Sequence, residues 1–154
     1  MYWYSDDTKV EAATMQLGFL ENARRVQVHA QAEMNAVFEH LEGWMRLFGY
    51  PRRDIFAVRL VLQEAVTNAL RHGNGNDPAK HVNVAYLVSA TEVVTEVRDQ
   101  ETGFNPDAVP NPLALENRER ASGRGVFLMR IYSTWVSFNE HGNRVTLCRR
   151  RSDS

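Results

Sequence analysis

A two-layer α/β sandwich, with helices covering one face of a mostly antiparallel mixed sheet, is what this sequence predicts. Three observations carry that expectation. Apolar residues recur at helical spacing over Ala32 to Phe48 and again over Asp54 to His72. The period then changes to two over His81 to Val88 and Glu92 to Arg98. A helix and two further strands close the chain, giving the order β–α–α–β–β–α–β–β.

Residues 1–24 carry no single period. Tyr2, Trp3 and Tyr4 precede a polar run, and Met15 to Leu20 fits a strand or a helix equally. They are set apart as an N-terminal extension, with residues 25–150 as one domain and 151–154 as a tail. Arg25 to Ala30 alternates as a strand. Met34, Val37, Phe38, Leu41, Met45 and Phe48 then form a helical stripe that Gly49 stops.

The next helix, DIFAVRLVLQEAVTNALRH, has Pro51 just upstream and Gly73 where a left-handed cap would end it. Ile55, Val58, Leu62, Val66 and Ala69 form one apolar stripe; Ala57, Val61, Glu64, Asn68 and Arg71 lie opposite. A helix apolar nearly all round is buried on two sides, so Glu64 and Asn68, one turn apart, project into a partly enclosed space. A metal ion with a phosphate ligand would satisfy them. Spacing alone favours a plainer outcome, a core helix whose Glu and Asn bond to backbone or water.

His81 to Val88 and Glu92 to Arg98 form a hairpin through Ser89 to Thr91, with Asp99 where the second strand ends. Residues 104–122 hold three of the five prolines and a charged run, which predicts a loop or lid. GRGVFLMRIY, from Gly123, reads as a glycine turn opening a helix. Trp135 to Asn139 and Arg144 to Cys148 are strands joined by a turn over residues 140–143.

Composition bounds the function. The 154 residues suit one domain, with 44% hydrophobic and 24% charged residues. A net charge of −1 gives no electrostatic case for direct nucleic-acid binding or for an anionic membrane. The single cysteine, Cys148, excludes an internal disulfide and fits a reducing compartment. Ser5, Asp6, Asp7 and Lys9 interrupt any secretory signal, and no stretch approaches a membrane span, so a cytoplasmic location is expected.

Three stations align along the chain: Glu64 with Asn68, the segment Asp99 to Gly103, and Gly123 to Gly125. Glycines at a helix entrance let backbone N–H groups approach an anion, though a lone G-x-G is a weak signal. Asp99 is an acceptor suited to an exocyclic amine, or equally a turn-capping Asp. Together and in this order they resemble the GHKL superfamily of gyrase-type ATPases, histidine kinases and relatives with the Bergerat ATP-binding fold. Within it, EAVTNALRHGN at Glu64 to Asn74 is similar to the N box of bacterial anti-sigma-factor serine/threonine kinases, and SGRGVFLM at Ser122 to Met129 to their second glycine box.

The resemblance implies ATP and Mg2+ as cofactors. It makes Asn68 the Mg2+ ligand and Glu64 the general base. Asp99 would accept from adenine N6, and Gly103 would let the base lie close. Gly123 and Gly125 would cradle phosphates, and Thr146 would bond near adenine. Arg118, Arg120 and Arg124 are candidates for the γ-phosphate, since Ala121 stands where the family usually has arginine. Glu101 replaces the first glycine of D-x-G-x-G and puts a negative side chain near an anionic nucleotide. His72 would cap the helix or line the pocket edge. The implied partners are a STAS-type anti-sigma-factor antagonist, phosphorylated on serine, and a sigma factor; a homodimer is a further family expectation. Two alternatives stand beside the kinase: a switch module of the same fold that regulates by contact, which Glu101 favours, and a histidine-kinase catalytic domain, which the absence of a preceding His-bearing hairpin disfavours.

Overall fold

The computed structural model describes residues 18–19, 21–100 and 120–153, with side chains of the last stretch described from 124 onward. Strand β1 (Arg24–Val28) leads through a short 3₁₀ turn, Gln31–Glu33, into helix α1 (Met34–Leu47). Helix α2 (Arg52–Asn68) continues into a π turn over Ala69–Gly73. Strands β2 (Val82–Val88) and β3 (Glu92–Arg98) follow, then helix α3 (Arg120–Tyr132) and strands β4 (Trp135–Phe138) and β5 (Arg144–Arg150).

The five strands form one sheet in the order β1-β2-β3-β5-β4, and every neighbouring pair is antiparallel. The mixed sheet expected from the sequence is therefore corrected to an antiparallel one among the described residues. Alternation along each strand sorts side chains onto two faces. Val82, Val84, Tyr86, Val93, Val97, Val145 and Leu147 face the helices and share a core with residues of α1, α2 and Met129 of α3. Ala85, Val94, Trp135 and Cys148 lie on the other face, where Phe19 packs against them. Each fully buried Val, Leu, Met or Phe among them contributes roughly 1.5–3 kcal/mol.

Local chemistry explains the boundaries. The Glu33 carboxylate accepts the N–H groups of His29 and Ala30, turning the chain into α1. Those backbone donors hold the exposed Glu33 carboxyl below its usual range. Met34, Val37, Phe38, Leu41 and Met45 are the buried stripe of α1, and Gly49 stops it at φ 81°, a left-handed conformation that favours glycine. Pro51 is the residue before the first turn of α2. Gly142, at φ 70°, turns β4 into β5.

The chain beyond β5 is docked. Asp54, fully buried in the first turn of α2, accepts from Arg149 Nε at 3.0 Å and Nη2 at 2.8 Å, and from Ser152 N at 2.7 Å and Oγ at 2.6 Å. Arg149 Nη1 also donates to the Tyr132 carbonyl at 2.8 Å, so one guanidinium joins the start of α2, the end of α3 and the last strand.

Candidate functional site

Helix α2 buries Ile55, Val58, Leu62 and Val66 and also Ala57, Val61 and Ala65, so it is covered on more than one side. Its C-terminal turns carry Glu64 and Asn68 beneath α3. The crossing is close because residue 125 is glycine. A Cβ there would stand 2.6 Å from Asn68 Nδ2 and 3.3 Å from Glu64 Oε2, too near for any side chain without displacement. Only 18% of the Glu64 side chain is exposed, and its Oε1 lies 3.6 Å from Nη2 of Arg124. The Arg124 side chain is 76% exposed, so the pair is a loose one that another anion can break.

Asn68 Oδ1 is buried and has no hydrogen-bond partner among the described residues. A buried amide oxygen left so costs about 1–3 kcal/mol, and a hard cation with water and phosphate ligands would remove that cost. Among the described residues no group of three or more His, Cys, Asp and Glu could hold a metal ion by itself. The orphaned Asn68 oxygen is the kind of hard, neutral donor that suits a cation completing its shell with water and phosphate oxygens.

The second station is assembled by the widened end of the helix. Asn74 N donates to Ala69 O at 2.8 Å, five residues back, and Asn76 N to Leu70 O at 2.8 Å. Such π turns insert a residue and redirect the chain beyond them, and they recur at functional sites. Here the turn carries Gly73 onto Asp99. A Cβ on Gly73 would stand 2.7 Å from Asp99 Cβ and closer still to its carboxylate. Asp99 is 8% exposed, and burial pushes its carboxyl up to about 7, with Arg98 and Lys80 pulling weakly the other way.

Asn74, 4% exposed, fastens this end of the molecule. Its Oδ1 accepts from Gln100 N at 3.0 Å and its Nδ2 donates to the His81 carbonyl at 2.9 Å. The Gln100 side chain returns a bond from His81 N at 2.7 Å. One side chain thus joins the end of the α2 π turn, the start of β2 and the residue after Asp99. In the sequence Asn74 is only the last residue of the N-box stretch, and its clamping role has no signal there beyond the Gly-Asn pair that ends that stretch.

Several expectations change. Gly73 is not a left-handed cap: the positive φ angles fall at Gly75 (62°) and Asn76 (56°). Gly123 and Gly125 do not precede a helix, since α3 is already helical from Arg120. Gly125 serves close packing instead, and the expected lid gives up residues 120–122 to that helix. Thr146 sits opposite Glu96 and Ser137, in register with Ala85, on the sheet face away from the helices. The residue of β5 that shares the face of Val97 and Asp99 is Val145. Glu101, Gly103, Arg118 and residues 104–119 lie outside the described residues; Arg120 is described only as helix. His72 lies within the π turn, half-buried.

The sequence pattern of the histidine kinase-like ATPase domain matches residues 14–149. The chain is also similar to the anti-sigma F factor of Geobacillus thermodenitrificans (strain NG80-2), 32% identical over 95 residues, 60% of this chain and 65% of that protein. The anti-sigma F factor of Anoxybacillus flavithermus (strain DSM 21510 / WK1) is 30% identical over 95 residues, with the same shares covered. That of Geobacillus stearothermophilus is 31% identical over 96 residues, again 60% of this chain and 65% of the relative. The chain thus spans 65% of the length of these relatives.

Proposed function

Because the chain belongs to the histidine kinase-like ATPase domain family, we propose that it is an ATP-dependent protein serine/threonine kinase that acts as an anti-sigma regulatory factor. It binds a sigma factor and phosphorylates a serine on an antagonist protein of the STAS fold. The observation that carries this reading is the packing of Gly125 on Glu64 and Asn68. A carboxylate and a side-chain amide, the amide with a buried oxygen that has no partner among the described residues, stand together beneath Gly125. The similarity to anti-sigma F factors supports the regulatory role.

Bound ATP would supply the phosphoryl group, and Mg2+ held beside it would lower the charge repulsion there. The chain's own groups position and receive. Asn68 Oδ1 would hold the cation. Asp99, at the end of β3, accepts from the adenine amine, and Gly73 leaves room for its carboxylate. Glu64 accepts the proton of the incoming serine hydroxyl, and Arg124 leaves Glu64 for the terminal phosphate. Phosphoryl transfer relies on positioning and charge stabilisation, so this small set suffices.

The test is Glu64→Gln, which keeps shape and removes the charge. ATP affinity is expected within a few-fold of wild type, and single-turnover phosphate transfer to the antagonist falls roughly 10²–10⁴-fold, the range for a lost general base. Wild-type transfer by the variant removes the base assignment. Nucleotide binding with no transfer by wild type instead supports the second reading, a regulatory switch module of the same fold. That reading rests on Glu101, whose charge stands where the family has glycine.

A further inference from the structure

A cavity lies at the other end of β2, about 20 Å along the strand from its start beside the Asn74 clamp. It encloses about 340 Å³ between α1 and the sheet edge, and its lining includes Arg24, His40, Trp44, Phe48 and Tyr86. Strand β1 begins at Arg24, opposite Tyr86, while β2 runs on to Val88, so the cavity sits where the edge of β2 loses its partner.

The hydrogen bonds in its wall fix where one proton goes. Trp44 Nε1 lies 3.2 Å from His40 Nε2, and an indole N–H can only donate. His40 Nε2 is therefore the acceptor, which makes the ring neutral with its hydrogen on Nδ1. That hydrogen is donated to Tyr86 Oη, 2.8 Å away. The Tyr86 hydroxyl, accepting from His40, has its own hydrogen left to give, and no acceptor for it is found among the described residues. Tyr86 is only 3% exposed.

The surroundings say what the acceptor is. Arg24 is the cross-strand neighbour of Tyr86 and shares its face. Its positive charge acts on the Tyr86 hydroxyl, opposing the rise that burial causes. Trp44 and Phe48 stack at 6.0 Å, offering a flat apolar wall. We propose that this cavity binds an organic carboxylate carried on a flat apolar body, with the Tyr86 hydroxyl donating to one oxygen, Arg24 balancing the charge and Trp44 and Phe48 holding the body. The carboxylate can belong to a free metabolite or to an acidic side chain beside an aromatic one in a partner protein; both present the same chemistry. The site does not depend on the kinase reading.

The experiment follows the Trp44 indole N–H in NMR correlation spectra of the full chain during titration. The probes are phenylacetate, its neutral amide phenylacetamide, and the capped peptide acetyl-Phe-Glu-amide. Phenylacetate is expected to saturate the shift with a Kd of about 1 mM or tighter, and phenylacetamide to bind about tenfold or more weakly. Tighter binding of the peptide than of phenylacetate assigns the site to a protein partner, and the reverse to a small molecule. Tyr86→Phe is expected to weaken phenylacetate about tenfold. Arg24→Gln, at an exposed position, gives the same direction should Tyr86→Phe fail to fold. ATP affinity, measured alongside, is expected not to change. Equal binding of the acid and the amide, unchanged affinity in both variants, or no shift with any probe overturns the proposal.

Discussion

The α-carbon of Gly73 rests against the carboxylate of Asp99, leaving no room for a Cβ between helix end and strand end. The contact joins the last turn of the N-box helix to the strand end proposed to read the adenine. The backbone angle at Gly73 is one that any residue adopts, so the requirement for glycine here is purely spatial.

Gly73→Ala is accordingly expected to push Asp99 out of place and to reduce ATP affinity at least about tenfold, at a stability cost of roughly 1–3 kcal/mol from overpacking. Gly75→Ala is the control. Gly75 has open space around it but a φ of 62°, so alanine there costs about 1 kcal/mol through the backbone alone. Its nucleotide affinity is expected to match wild type. Isothermal titration with ATP and urea unfolding of both variants check the contrast; equal affinity losses would count against the Gly73–Asp99 relationship.

Asn68→Ala is expected to abolish the Mg2+ dependence of ATP binding while leaving stability within about 1 kcal/mol of wild type. The reason is that the removed oxygen has no partner to lose among the described residues, and deleting a buried unsatisfied group relieves its desolvation cost. Thermal unfolding and ATP titration with and without Mg2+ are the measurements. A large loss of stability would show that Asn68 is a packing residue first.

Asp99 and Asp54 give pH dependences of opposite sign. Asp99 is raised by burial to about 7, so the folded state holds a proton that the unfolded state releases near pH 4. Its contribution is fully present below about pH 4 and is lost as pH rises to about 7, on the order of a few kcal/mol. Asp99→Asn is expected to flatten that window and to be more stable than wild type above it, while losing the preference for adenosine over guanosine. Wild-type adenosine binding is expected to weaken as pH falls below about 7, as the ionised acceptor becomes protonated. A wild-type and Asp99→Asn pair with parallel stability curves from pH 4 to 8 would refute the shift.

Asp54 runs the other way. Burial raises its carboxyl, but the bonds from Ser152 and Arg149 outweigh it and hold it below the usual carboxylate range. Its stabilisation is present above the ordinary aspartate value and is lost as pH falls through the native one. Asp54→Ala leaves the Arg149 guanidinium without its carboxylate, and a loss of about 3–5 kcal/mol is expected by chemical denaturation. Because one guanidinium also holds the Tyr132 carbonyl, faster hydrogen exchange at the end of α3 is the accompanying signature.

Much of this protein is legible in consecutive residues. Helical spacing over Asp54 to His72 locates the buried helix, and its unusual apolar breadth announces burial on more than one side. Period-two runs locate β2 and β3, and turn chemistry locates the stops at Gly49 and Gly142. These signals are local: a periodicity or a positive φ belongs to a short stretch of chain. Tertiary structure alone decided the rest. Thr146 and Val145 are both buried, because β5 is covered on both faces, so alternation could not say which one shares the face of Asp99. The register of β5 against β3 answers it, and register is a relation between distant strands. Gly73 and Gly125 read as a cap and a helix opening, since glycine in sequence first suggests backbone freedom. Each is instead a place where two elements approach closer than a methyl group allows, and that distance exists only once the elements are packed.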